Sequence, residues 1–200
     1  MGGGSASRGM WRPPGARGKV FAWLLFLDGD EVPDGRRVAE WAAARLPARP
    51  EGPPRCLKLA AHWYFREPTN RADAWEDSVV LADARAFAPA AGAAAGADAA
   101  AATAAWARLL MVDDERDGLA RALAPGGRMV AGLDGAPMFH HFSWVRTKQQ
   151  LLRKVATWGH RGDKDWAALI EAEFERPAGG RDFVHGYTYT RVPNAFGIVL

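Results

Sequence analysis

Cysteine is almost absent: the 200-residue chain has one, Cys56. A single thiol excludes an intramolecular disulfide framework, and no CxxC pair or Cys/His spacing offers a structural zinc site. Long apolar runs are missing too. Val20 to Leu27 (VFAWLLFL) falls well short of the roughly 20 residues that span a bilayer. Basic residues precede it, as in a signal peptide, but it runs into Asp28-Gly29-Asp30-Glu31, where a cleavage site would need small residues. It reads as a core strand. The opening MGGGSAS puts Ala6 where a myristoylation signal carries Ser or Thr. Concentrated charge of one sign is also lacking. The net charge of +3 and pI near 9.3 come mainly from dispersed arginines, which suits an anionic ligand but gives no nucleic-acid signature.

What the chain does have is core material. With 48% hydrophobic residues it can build one domain, or at most two small ones. Residues 1–18, rich in Gly, Arg, Pro and Ser, are expected to be a disordered leader. A buried strand is expected over about 19–27, then a helix from about Gly35 to Leu46, where Val38, Trp41, Ala42 and Leu46 recur at helical spacing. CLKLAAHWYFR reads as a second strand, EPTNRADAWED as a polar connection, and SVVLAD as a short third strand. An alanine-rich insertion occupies about 88–105. Beyond it WARLLMVDDERDGLARAL reads as helical and RMVAGL as a short strand. Two amphipathic helices follow, broken at Gly159 to Gly162, with Thr147 and Asp163 as their N-caps and Pro177 ending the second. There is no internal repeat, and the alternation of strands and helices predicts an α/β fold.

Four groups could carry chemistry. The apolar strand ends on Asp28, Asp30 and Glu31, with Gly29 permitting a tight turn. Hard carboxylate oxygens at a strand end suit Mg²⁺ or Mn²⁺ completed by ligand phosphates. The bland alternative is an acidic turn leading into the helix. Glu76 and Asp77, next to Trp75, could supply a general base or be solvated loop charges. His140 and His141 lie in an aromatic run, where strand alternation lets at most one face a given site. His62, His160 and His185 read as packing residues. Arg146, Lys148, Arg153, Lys154, Arg161 and Lys164 could hold diphosphate or form the wet face of a helix. Trp63, Trp144 and Trp158 could stack on sugars, although most of the nine tryptophans are expected in the core.

Together LLFLDGDEVPDG, KLAAHWYFREPTNRADAWEDSVVL and HHFSWVRTKQQLLRKVATWGHRGDKDWAALIEAEFERP followed by DFVHGY resemble GT-A type glycosyltransferases. In particular they resemble the family 2-like group and its relatives near the N-acetylglucosaminyltransferases of family 17. The resemblance runs from about Phe21 to Tyr187, excluding the alanine-rich insertion. It implies a partial GT-A mixed sheet with flanking helices over residues 19–190, and a C-terminal tail at 191–200. It also implies a nucleotide-sugar donor and a carbohydrate or glycoconjugate acceptor, with no nucleic-acid partner. Asp28 and Asp30 match the DxD motif that holds Mn²⁺ or Mg²⁺ and the diphosphate, and Glu31 would shape that site. Asp77 matches the base of inverting members, with Glu76 beside it. His141 matches the late histidine on the metal or diphosphate, with His140 as fallback, and Arg146 and Lys148 would bind phosphate. QQLLRK lacks the tryptophan of the processive QxxRW signature, so a polymer synthase is not expected. GT-A enzymes carry nucleotide-binding β/α units ahead of the DxD, so the chain is expected to lack that part. Localisation stays open between cytoplasmic and, if a missing N-terminal part carries an anchor, Golgi- or ER-associated. Two rivals stand beside this reading: an inactive remnant serving as a binding or structural module, and a basic nucleic-acid-binding domain.

Overall fold

The computed structural model describes residues 23–46, 56–83, 129–177 and 179–200. The expected leader, the alanine-rich insertion and the helix beyond it lie outside the described residues. Seven strands form one mixed sheet: β1 (Trp23–Phe26), β2 (Glu31–Pro33), β3 (Cys56–Phe65), β4 (Asn70–Asp83), β5 (Met129–Val130), β6 (Phe139–Trp144) and β7 (Tyr189–Arg191). Among the described residues three helices accompany it: α1 (Gly35–Arg45), α2 (Lys148–Thr157) and α3 (Trp166–Glu175). The α/β expectation holds. No helix among the described residues is long and apolar enough to cross a membrane.

Strand order is β1-β4-β3-β6-β2, with β5 against the start of β3 and β7 against the start of β4. Pairs β3–β5 and β3–β6 are parallel and the others antiparallel. EPTNRADAWED was expected as a connection before a short strand. Asn70 onward instead belongs to β4, because its backbone pairs with β7 at Asn70, Arg71 and Ala72 and with β3 from Arg71 onward. Within it, Trp75, Glu76, Asp77 and Ser78 line a cleft.

The β3–β4 register also shifts. Leu59 pairs with Val79 and Ala61 with Glu76, so Asp77 and Ser78 together oppose Ala60. That extra residue is a β-bulge, a device that re-aims side chains and recurs beside active sites. It explains how the consecutive residues Glu76 and Asp77 can both reach one cavity despite strand alternation.

Each helix is held by its apolar stripe. At eleven residues α1 is too short to persist alone in water, so packing must hold it. Asp34 caps it, accepting a hydrogen bond from the Arg37 amide. Trp41 packs with Leu59, Ala61, Val79, Leu81, Met138 and Phe139. Thr147 and Gln150 form a capping box at α2, as expected. The second expected cap is displaced: Asp165, not Asp163, accepts from the Ala168 amide and starts α3, while Asp163 pairs with His160. Leu151 and Val155 of α2 and Trp166 and Ile170 of α3 pack on Trp63, Phe65, Trp144 and Val184. Thus α1 covers the first half of β3 and the α2–α3 pair the second.

Candidate active site

The turn after β1 is built from its own acids. The Glu31 amide donates to the Asp28 carbonyl, and the Asp28 amide donates to Glu31 Oε2 at 2.8 Å. Glu31 is only 5% exposed and does not line the cleft, so it closes the turn rather than meeting a ligand. The Asp30 carbonyl accepts from the Phe142 amide, which pins the turn to β6. The Asp30 carboxylate then meets Arg146 at 2.9 Å and lies 3.7 Å from His141 Nε2. Charge that nothing nearby in sequence neutralises is neutralised from more than a hundred residues away.

Asp28, Asp30, Glu76, Asp77, His141 and Arg146 all line one cleft of about 1360 Å³. Most of the residues singled out in the sequence therefore converge. Lys148 does not: it pairs with Glu171 on α3 and is absent from the lining. Arg153 and Lys154, one turn further along α2, take the cleft-facing positions, and Lys154 also donates to the Ser143 carbonyl. Trp63 and Trp144 border the cleft but are 1% and 2% exposed, so they belong to the core. Trp75, at 40% exposure, is the open aromatic surface there.

The two adjacent histidines part company as alternation requires. His141 Nδ1 bonds Glu76 Oε2 at 3.0 Å, whereas His140 Nδ1 bonds the Tyr64 hydroxyl and its ring lies 5.3 Å from that of His62. Burial opposes charge on Glu76, yet the bonds from His141 and His185 and their charges hold its carboxyl down to about 2. Burial likewise opposes the His141 imidazolium, but Glu76, as bond and as charge, with Asp30 and Glu31, raises its pKa. The two form a matched ionic pair. Asp77 is half-buried and lies 3.5 Å from Lys58.

The histidine that sequence reasoning missed is His185. Expected as packing, it lines the cleft and bonds Glu76 Oε1 through Nε2 at 3.1 Å. Its loop is built around the buried Asp182, whose carboxylate accepts from the amides of Val184, His185, Gly186 and Tyr187. Gly186 adopts φ +77°, a left-handed conformation suited to glycine. The signal was an aspartate three residues before a histidine and four before a glycine, the pattern of a carboxylate-wrapped turn.

A divalent ion would find part of a site here. A metal-binding imidazole usually donates its other N–H to a carboxylate, and His141 does so to Glu76 while Nε2 faces Asp30. Among the described residues no three of His, Cys, Asp or Glu gather as a metal cluster, so phosphate and water would complete the coordination.

The His62–His140 pair on the other side of β6 predicts an acid response. Burial is the main cause that lowers both to about 4; Arg71 and Arg37 add to it, His140 also acts on His62, and Asp34 opposes it at His140. Between their ordinary value of 6.5 and about 4 the unfolded chain binds protons that the folded chain refuses, so stability falls as pH falls through that window. Glu76 contributes stability above its ordinary 4.5 that is lost only as pH drops towards about 2, and the His141 contribution is lost only as pH rises. Melting temperature should therefore drop between pH 6.5 and 4.5, with a smaller drop in His62→Gln. A flat profile across that range would show that the pair takes up protons without cost.

No protein-family model, curated protein or solved structure matches the chain.

Proposed function

We propose that the chain is a GT-A type glycosyltransferase, metal-dependent and inverting, that moves a sugar from a nucleotide-sugar donor to an acceptor hydroxyl. One observation carries this reading: the acidic turn after β1 and the Glu76–Asp77 pair of β4 line one cleft and are joined through His141, which bonds Glu76 and faces Asp30. A cleft with a cation-lined acidic end and a carboxylate-lined end fits a displacement in which an anionic group leaves and a hydroxyl attacks. The mixed sheet flanked by helices is compatible with an α/β architecture.

In this reading Asp30 and His141, with Asp28 on the same turn, would supply part of the coordination of Mn²⁺ or Mg²⁺, and the ion would neutralise the donor diphosphate. Arg146, which bonds Asp30, and Arg153 and Lys154, which line the same cleft, would offset the charge that grows on the leaving phosphate oxygens. At the other end Asp77 takes the proton of the acceptor hydroxyl as its oxygen bonds the anomeric carbon. The bond from that carbon to the diphosphate breaks on the opposite face, and the diphosphate departs with the bonding electrons. The bulge presents Asp77, and Glu76 beside it ties the two ends together.

The second reading, a binding module without transfer, is favoured by the Asp30–Arg146 bond, which already occupies one carboxylate oxygen. Tryptophan fluorescence titrations with UDP-glucose, UDP-N-acetylglucosamine and GDP-mannose separate the two when paired with a transfer assay. Binding that needs Mn²⁺ and is reversed by chelation, together with transfer, is expected. Binding without transfer supports the module, and no binding to any of the three sinks the enzyme reading.

A further inference from the structure

His185 is more constrained than its exposure explains. Its side chain is 39% exposed, so the core does not need it. Yet its ring stacks on Tyr187 at 5.0 Å and 23°, and meets Trp63 edge-on at 5.1 Å. Nε2 is fixed on Glu76, and the backbone is held by Asp182 and by Arg181, whose Nε donates to the Gly186 carbonyl. Lys164 adds hydrogen bonds to the carbonyls of Phe183 and Val184, tying the loop to the segment before α3.

Orientation has a chemical consequence. A neutral imidazole that donates its Nε2 proton to a carboxylate carries a lone pair on Nδ1, and so is a hydrogen-bond acceptor there. Glu76, whose Oε1 lies 3.1 Å from His185 Nε2, is such a carboxylate. The ring lines the cleft beside Glu76, with Tyr187 stacked on it.

We propose that His185 is a substrate-contacting residue of the acceptor half of the cleft: Glu76 fixes its tautomer, and Nδ1 accepts a hydrogen bond from an acceptor hydroxyl held beside Asp77. The proposal rests on the glycosyltransferase reading and adds to it a specificity-determining group on a different chain segment. Such a group selects for a donor hydroxyl on the substrate, because an analogue lacking it leaves an oriented lone pair unmatched.

Glutamine and asparagine substitutions separate the two nitrogens. His185→Gln keeps an N–H near Nε2 for Glu76 but has no acceptor at Nδ1, whereas His185→Asn places an amide near Nδ1 and releases Glu76. The full chain would be assayed with the three nucleotide sugars and Mn²⁺, using octyl glucoside, octyl galactoside and octyl mannoside as acceptors. In His185→Gln the acceptor KM should rise about tenfold, the scale of one lost hydrogen bond, with donor affinity and melting temperature unchanged. A long-range ¹H–¹⁵N spectrum of the wild type at pH 8 should show His185 protonated at Nε2 only. An active wild type whose acceptor KM is unmoved by His185→Gln, or a His185 protonated at Nδ1, overturns this proposal alone. A wild type that neither binds nor transfers overturns the glycosyltransferase reading, and this proposal with it.

Discussion

Asp30→Asn is expected to abolish transfer and to weaken Mn²⁺-dependent nucleotide-sugar binding, while the protein stays folded. The substitution keeps the shape of the side chain and removes its charge, so Arg146 and His141 face a neutral amide. The effect on stability is small: the Arg146 side chain is 36% exposed, and a pair so open to solvent contributes up to about 1 kcal/mol. The effect on chemistry is large, because removing one preorganised charge-stabilising group typically lowers rates by roughly 10²–10³-fold. Circular dichroism should overlay that of the wild type as donor binding in Mn²⁺ is lost. Retained Mn²⁺-dependent donor affinity would remove Asp30 from the donor site.

Asp77→Asn should be as damaging to turnover and harmless to donor binding. A positioned general base contributes roughly 10²–10⁴-fold, and an amide cannot accept the proton. The bond to Glu76 that links the two ends of the cleft does not pass through Asp77, and Lys58 loses only a partly exposed partner. The contrast between the variants is the diagnostic. Loss of donor binding in both would mean that Asp77 belongs to the donor end, and undiminished transfer in Asp77→Asn would remove it from the reaction.

Local signals in the sequence were faithful where one segment determines the outcome. The α1 stripe of Val38, Trp41, Ala42 and Leu46 lies in the core contacts, and Thr147 caps α2 with Gln150 completing the box. Asp163 and Asp165 offered the same capping chemistry two residues apart. The choice fell to Asp165 because Asp163 pairs with His160, which spacing alone does not reveal.

Long-range signals were harder to read. The polar half of β4 looked like a loop because its partners, β7 and the cleft histidines, lie far along the chain. The bulge at Asp77 and Ser78 leaves no mark in composition. Adjacent histidines face apart as strand alternation predicts, and of the two His141 is the one beside Asp30. His185 was passed over because its partner Glu76 becomes visible only when β4 and the 182–187 loop meet. Lys148 looked equivalent to its basic neighbours, but on the helix it points to Glu171.

The split between His140 and His141 also bears on evolution and engineering. β6 is hydrogen-bonded on both sides, with His141 opposite Glu31 on β2 and opposite Trp63 on β3. A slip of one residue would, according to its direction, put His140 against Glu76 and Asp30 with Phe139 against Tyr64, or put His141 against Tyr64 with Phe142 against Glu76 and Asp30. Amino-acid content would be unchanged and the chemistry lost. Single-residue insertions or deletions just before Phe139 therefore act as all-or-none lesions, whereas the exposed break between α2 and α3 can absorb length changes without moving a cleft-lining strand.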